Sequence, residues 1–304
     1  MANAISLAKL YEPLLMEAYA KDTLTNIFEN SALVSTMQSA LANEVYVPEM
    51  TVTGLGDYSK TSGYPAGDIN LSWVSLKLTQ DRGRQFAIDV VDDMEAMKVA
   101  GANVMGQFIK FHVTPEVDAY RFSKWALGGD STMRANGALS TGTALVSAID
   151  TATAKMTDAN VPEDGRILVV TPTIYNLLKQ AQDGRRCYTT TDANIGRKIT
   201  YFDEMRVLVV PEARFYSGIT LSTSGYTNTG SKLNFMIIHP SAIFAVTKHT
   251  ALKAKDPDAD MDAYKFAYRL YHDAFVVPNH EKGVYVHSVS ALTTSTSGTS
   301  GSNS

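Results

Sequence analysis

The stretch GLGDYSKTSGYPAGDINLSWVSLKLTQDRGRQFAID, Gly54 to Asp89, changes character midway. Up to Asp68 it is built of Gly, Ser, Asp and Tyr, the residues of turns. Beyond that point it alternates. Val74, Leu76 and Leu78 fall on one side of a strand, and Phe86, Ile88 and Val90 repeat the period in a second. The upstream segment EVYVPEMTV, Glu44 to Val52, supplies a matching flank. Together they read as a long hairpin-like excursion with a polar tip. A two-stranded ribbon is marginal in water by itself, so this one must pack on something other than itself.

Downstream the period becomes helical. Met94, Met97, Gly101, Val104, Phe108 and Phe111 recur at spacings of three and four, and the pattern continues past Val117 and Tyr120 to Trp125. Asp92 or Asp93 can cap the start, Gly128 and Gly129 stop it, and Pro115 should bend or break it. Such a helix reaches about 50 Å, which makes it a strut rather than a core helix. Upstream of the excursion, ISLAKLYEPLLMEAYA (5–20) reads as a short amphipathic helix or arm interrupted at Pro13.

The second half reads as α/β. TALVSAIDTATAKM predicts a helix with Leu145, Ile149, Ala152 and Met156 along one side. Four apolar runs, ILVVTP, VLVVPE, MIIHPS and FVVPN, each end at a proline (Pro172, Pro211, Pro240, Pro278). Runs of this kind suit strands buried on both faces of a central sheet. Between the last two, FAVTKHTALKAK and DAYKFAYRLYHD form a second ribbon. Tyr264, Phe266, Tyr268 and Leu270 share one face of it, with Lys265 and Arg269 opposite. The last residues, ALTTSTSGTSGSNS, read as a flexible tail.

Composition narrows the function. Of 304 residues, 45% are hydrophobic and only 19% charged, below the usual quarter, which hints at surface intended for other subunits. A net charge of -4 argues against a surface that coats polyanions. The single Cys187 fits a reducing compartment. The N-terminal residues lack the pattern of a signal peptide, and no apolar run is long enough to span a bilayer, so the expectation is a soluble, cytosol-made protein.

Candidate chemical sites are weak. At the strand-to-helix corner VVTPT, Thr171 is placed to cap the helix and Pro172 takes its first position. That removes a donor a phosphate would need, and neither a glycine-rich dinucleotide fingerprint nor a GKS/GKT loop occurs. DPDADMD spaces Asp256, Asp258, Asp260 and Asp262 like a calcium loop, but Met261 and Ala267 stand where glycine and glutamate are required. The adjacent His272 and Asp273 would point to opposite faces of a strand, so a hydrogen-bonded structural histidine is expected rather than a metal ligand. No GxSxG elbow is present. The reading is no catalytic residue, no cofactor and no metal.

The order of these features resembles the tailed-bacteriophage major capsid proteins with the Hong Kong 97-type fold. The resemblance rests on the opening stretch, on VTPEVDAYRFSKWA, on DGRILVVTPTIYNLLKQA and MRVLVVPEARF, and on HPSAIFAVTKH followed by YRLYHDAFVVPNHEKGVYVH. It implies an α+β subunit divided into five parts. These are an N-terminal arm (1–30), a peripheral domain (31–49, 84–135, 246–272; spine helix about 93–127), an extended E-loop (50–83), an α/β A-domain (136–245, 273–290) and a tail (291–304). It further implies self-association into an icosahedral shell, with the E-loop lying across a neighbour through Asp57, Tyr58, Lys60, Tyr64 and Trp73. A separate scaffolding protein, a portal and packaged double-stranded DNA are the implied partners, with no membrane. Some relatives cross-link an E-loop lysine to a neighbour's asparagine; Lys60 lies near the tip, but no asparagine or assisting glutamate matches that pattern. An encapsulin-like compartment shell shares the fold and is the nearest alternative; a soluble α/β enzyme is the distant one.

Overall fold

The computed structural model describes residues 23–29, 44–61, 63–90, 105–181, 187–188, 200–255, 257 and 262–292. The residues read as the arm before Thr23, the caps Asp92 and Asp93, the beginning of the strut, three of the acidic-turn aspartates (Asp256, Asp258, Asp260) and the tail from 293 on lie outside them.

The excursion is a ribbon of β1 (Glu44–Val52) and β2 (Ile69–Lys77), paired antiparallel from Glu44↔Lys77 to Val52↔Ile69. The next strand, β3 (Gln80–Asp89), leaves it. It pairs instead with the far ribbon, where it meets β13 (Ala263–Val276), itself paired with β12 (Ile243–Lys255). Residues 80–83, read as part of the E-loop, therefore already belong to the three-stranded sheet.

The strut runs unbroken past Pro115. Residues 105–108 are α-helical, Ile109–Val113 are wound as a π-helix, and α1 (Thr114–Gly128) continues from there. The expected break does not occur: the helix is wound as a π turn over Ile109–Val113, with Thr114 N–H bonding Ile109 O, so that Pro115, which has no N–H to give, sits where the ladder changes register. The wider π turn just before it accommodates the change of register. Gly129 accepts the stop, its N–H bonding Trp125 O at 3.2 Å. One side of the helix packs Met105, Ile109 and Val117 against Tyr268, Leu270, Phe266 and Phe86 of the ribbon.

A seven-stranded mixed sheet forms the other half, in the order β4-β14-β11-β5-β8-β7-β6. The strands are β4 (Arg134–Asn136), β5 (Ile167–Val170), β6 (Cys187–Tyr188), β7 (Tyr201–Phe202), β8 (Met205–Val209), β11 (Leu233–Ile238) and β14 (Val284–Ser288). A short hairpin, β9 (Ile219–Ser222) and β10 (Gly225–Asn228), stands apart from it. Helices α2 (Gly142–Asp158) and α3 (Pro172–Gln180) cover one face, burying Leu145, Ile149, Ala152 and Met156 against Leu168 and Val170. The strut's end covers the other, with Phe122 and Trp125 against Ile167 and Val169. Three of the four proline-ended runs lie in this sheet. The fourth, FVVPN, ends β13 in the ribbon, and its expected place is taken by VYVHS of β14, all five residues of which are buried. A turn at Pro278 and Asn279 (φ 65°) separates the two, so similar apolar runs on either side were exchanged.

Buried polar groups tie the segment 23–29 to the strut. Asp118, wholly buried, accepts from Thr25 Oγ1 (2.8 Å), Thr25 N (3.3 Å), Leu24 N (3.2 Å) and Arg214 Nη1 (3.1 Å). One turn on, Arg121 donates to Thr25 Oγ1 (2.9 Å) and pairs with Glu29 (2.7 Å). A buried carboxylate and guanidinium are tolerable only with partners such as these.

Candidate subunit interface

Residues directly opposite each other in an antiparallel pair share a face, so the register of β1 and β2 defines two sides. Near the root, Val45, Val47, Val74 and Leu76 lie on one side. There Val45 and Val47 join Leu78, Phe244, Val246 and Val277 in a small core. Further out the apolar side changes over. Pro48↔Trp73, Met50↔Leu71 and Val52↔Ile69 occupy the opposite face, while Glu49, Thr51, Asn70 and Ser72 take the side that was apolar at the root. No described residue covers that outer apolar face: Trp73 is 61% exposed, Ile69 73%, Val52 63%, Met50 61% and Leu71 54%.

The tip is ordered by its own backbone. Ser59 and Gly63 exchange two hydrogen bonds (3.1 and 2.8 Å), with Gly63 at φ 78° where a side chain would be strained. Thr53 and Asp68 close the base through Thr53 N to Asp68 O (3.1 Å) and Asp68 N to Thr53 Oγ1 (3.0 Å). Tyr58 and Tyr64 lean on each other at 4.9 Å between ring centroids but remain largely exposed. Asp57 and Lys60 are exposed beside them.

The root is fixed by one carboxylate. Asp273 of β13 accepts from Thr79 N (2.7 Å) and Thr79 Oγ1 (2.9 Å) at the junction of β2 and β3, and from Tyr120 OH of the strut (2.8 Å). Burial pushes the Tyr120 phenol up, which keeps it a donor. Asn279 Nδ2 adds a bond to Glu49 (3.1 Å) halfway along β1. The ribbon is thus held firmly at its base and carries a bare apolar side outward.

Of the five residues expected at this surface, Asp57, Tyr58, Lys60 and Tyr64 are at the tip and Trp73 is on the outer apolar face. Met50, Val52, Ile69 and Leu71 were missed. The same period-two pattern that picked out Val74, Leu76 and Leu78 contains Ile69, Leu71 and Trp73 in the alternate positions, so the signal was available. Elsewhere, Thr171 caps α3 as expected, accepting from Ile174 N at 3.4 Å, with Pro172 in the first turn. His272 departs from expectation: it is buried beside Tyr120, but its Nδ1 finds no hydrogen-bond partner among the described residues, and it is the neighbouring Asp273 that is fully engaged. Among the described residues no group of three or more His, Cys, Asp or Glu is placed to hold a metal, and no helix is long and apolar enough to cross a membrane.

The described residues form an α/β core, a long strut and an arm with an exposed apolar side. Solved structures of similar fold are found by comparison. The chain is similar to the capsid structure of cyanophage P-SCSP1u (16% identity, 83% of this chain and 85% of that one, TM-score 0.61). It is similar to the mature capsid of bacteriophage PhiM1 (12% identity, 83% of each chain, TM-score 0.63). It is also similar to a virus-like particle from Pyrococcus furiosus (9% identity, 91% of this chain and 97% of that one, TM-score 0.50). No family model and no curated protein matches. The chain has the mixed α+β fold of phage capsid subunits.

Proposed function

We propose that this chain is a phage major capsid protein of the Hong Kong 97 type, which self-assembles into an icosahedral shell around the phage genome. The observation that carries the proposal is the outer face of the β1–β2 ribbon. Five large apolar side chains, each more than half exposed, line one side of an arm with no core of its own. Monomeric proteins rarely display such a patch unless it binds something. A second copy of the chain is the occupant that the fold supports, with the ribbon laid across it and the polar side facing outward. Tip residues Asp57, Tyr58, Lys60 and Tyr64 extend the same contact, and Trp73 anchors its middle. In this reading the strut and the three-stranded sheet form the peripheral domain, and the seven-stranded sheet forms the A-domain. On that division the E-loop becomes 44–77, residues 243–245 and 273–276 pass to the peripheral domain, and 134–135 pass to the A-domain.

A separate scaffolding protein, a portal and packaged double-stranded DNA complete the proposed assembly, which would form in the host cytoplasm and persist in the virion. Electron microscopy of the protein expressed alone tests the proposal: closed shells support it, and a dispersed subunit at high concentration opposes it. The likeness to a virus-like particle from Pyrococcus furiosus favours a second reading, a compartment shell with protein cargo. A host enzyme co-purifying inside the shells would select that reading; portal and tail proteins would select the phage.

A further inference from the structure

The tip of the β9–β10 hairpin, Ser222 to Gly225, roofs a cleft of about 620 Å³ between β3, β13 and the π turn of the strut. The floor is aromatic. Phe108 meets Phe86 edge-on at 5.0 Å and Tyr268 at 6.2 Å, and Phe111 stands at the rim, 65% exposed. Two arginines of β3 reach up to the roof. Arg82 Nη2 donates to Ser222 O (2.8 Å) while the same guanidinium grips Glu116 of α1 through Nε to Oε1 (2.5 Å) and Nη2 to Oε2 (3.1 Å). Arg84 donates to Thr223 O. The acceptors on the hairpin are main-chain carbonyls, so the grip reads its position and not its side chains.

Below the tip, Tyr226 OH and Asn228 Nδ2 tie β10 to Ala213 O (3.2 and 3.0 Å), while the tip itself leans on the two arginines. Ser222, Thr223 and Ser224 are exposed, and a two-stranded ribbon is marginal alone. Its root, by contrast, is a tight crossing. Thr229 N and Gly230 N both donate to Gly218 O (3.0 Å each), and a Cβ on Gly230 would come within 2.2 Å of Gly218 N. A tied root and an exposed tip held by two cations make a pivot and a latch. The helix beneath is in its π-wound segment, a form common at functional sites.

We propose that the β9–β10 hairpin is a strap over the aromatic cleft, latched by Arg82 and Arg84. Releasing it uncovers Phe86 and Phe108 beside the already exposed Phe111, and leaves the Arg82–Glu116 pair as the remaining tie between β3 and the first turn of α1. Every contact involved lies within one chain, so the proposal stands apart from the shell reading.

Hydrogen exchange on the unassembled subunit tests it. In Arg82→Ala/Arg84→Ala, the amides of 219–228 should exchange about tenfold faster or more, the scale of losing charge-assisted hydrogen bonds. Amides of 107–113 should follow, β11 should not change, and 1-anilinonaphthalene-8-sulfonate fluorescence should rise. Thr223→Ala should leave exchange as it was, because the main-chain acceptor of Arg84 persists. If the double variant fails to fold, Arg84→Ala alone decides: it should speed exchange at 219–228. Unchanged exchange at 219–228 in the double variant, or in that fallback, overturns the strap.

Discussion

Replacing His272 by methionine should flatten the acid dependence of this protein's stability. His272 is 4% exposed, lies edge-on to Tyr120 at 5.6 Å, and shares its surroundings with Asp273, Arg121 and Arg82. Burial is the main reason its pKa falls to about 3, and the two arginines lower it further. In the unfolded chain the ring titrates near 6.5. Between those values the unfolded state binds the extra proton, so stability rises with pH through the window and is lost as pH falls from 6.5 towards 3. At pH 4.5 the unfolded ring is almost fully protonated and the folded ring almost fully neutral. Two pH units below the unfolded pKa, the loss relative to pH 7.5 is about 3 kcal/mol. Urea unfolding of the unassembled subunit at pH 7.5, 6 and 4.5 reads this as a slope. The wild type should lose about 3 kcal/mol more than His272→Met over that range. Parallel losses in the two proteins would refute the reasoning, because the buried neutral ring would then contribute nothing to the acid response.

Asp273→Ala removes the acceptor of Thr79 N, Thr79 Oγ1 and Tyr120 OH, leaving the last two only each other to donate to, at 3.3 Å; urea unfolding should show a loss of about 3 kcal/mol, and Asp273→Asn a smaller one. Millimolar ATP or NAD should leave the melting temperature unchanged, since the Thr171–Pro172 corner is a helix start. A genuine site at a thousandfold excess over its Kd would instead add about 4 kcal/mol. Mature particles should dissolve in hot detergent to one band near 33.0 kDa. A covalent ladder abolished by Lys60→Ala would reveal a cross-link at the tip.

Much of this architecture is written in local periodicity. The apolar stripe of α2 and the cap at Thr171 depend on neighbours in sequence, and both were readable from it. The alternation of Tyr264, Phe266, Tyr268 and Leu270 is equally plain because one strand face packs on one helix. What escaped depends on distant partners. FVVPN and VYVHS are both short apolar runs; only pairing with β11 decides which enters the central sheet, and sequence spacing does not encode that choice. Pro115 was misread because its cost depends on where the preceding turn ends, and a π turn leaves no compositional trace. At the ribbon, attention to the polar tip hid the simpler signal in Ile69, Leu71 and Trp73. Their alternation was visible, but an apolar face is expected to find a core, and this one finds none among the described residues.

That bare face is the centre of the account, and one comparison tests it most directly. Wild-type protein and the double variant Ile69→Asp/Trp73→Asp can be expressed alone and imaged by cryo-electron microscopy. Circular dichroism and melting temperature serve as controls for the fold. Large permanent interfaces bury roughly 2,000 Å² or more and tolerate charge poorly at their centres. The wild type should form closed shells, and the variant should keep a native spectrum and melting temperature yet remain as dispersed subunits. Closed shells of normal size from the variant would contradict the claim that this face joins one subunit to the next.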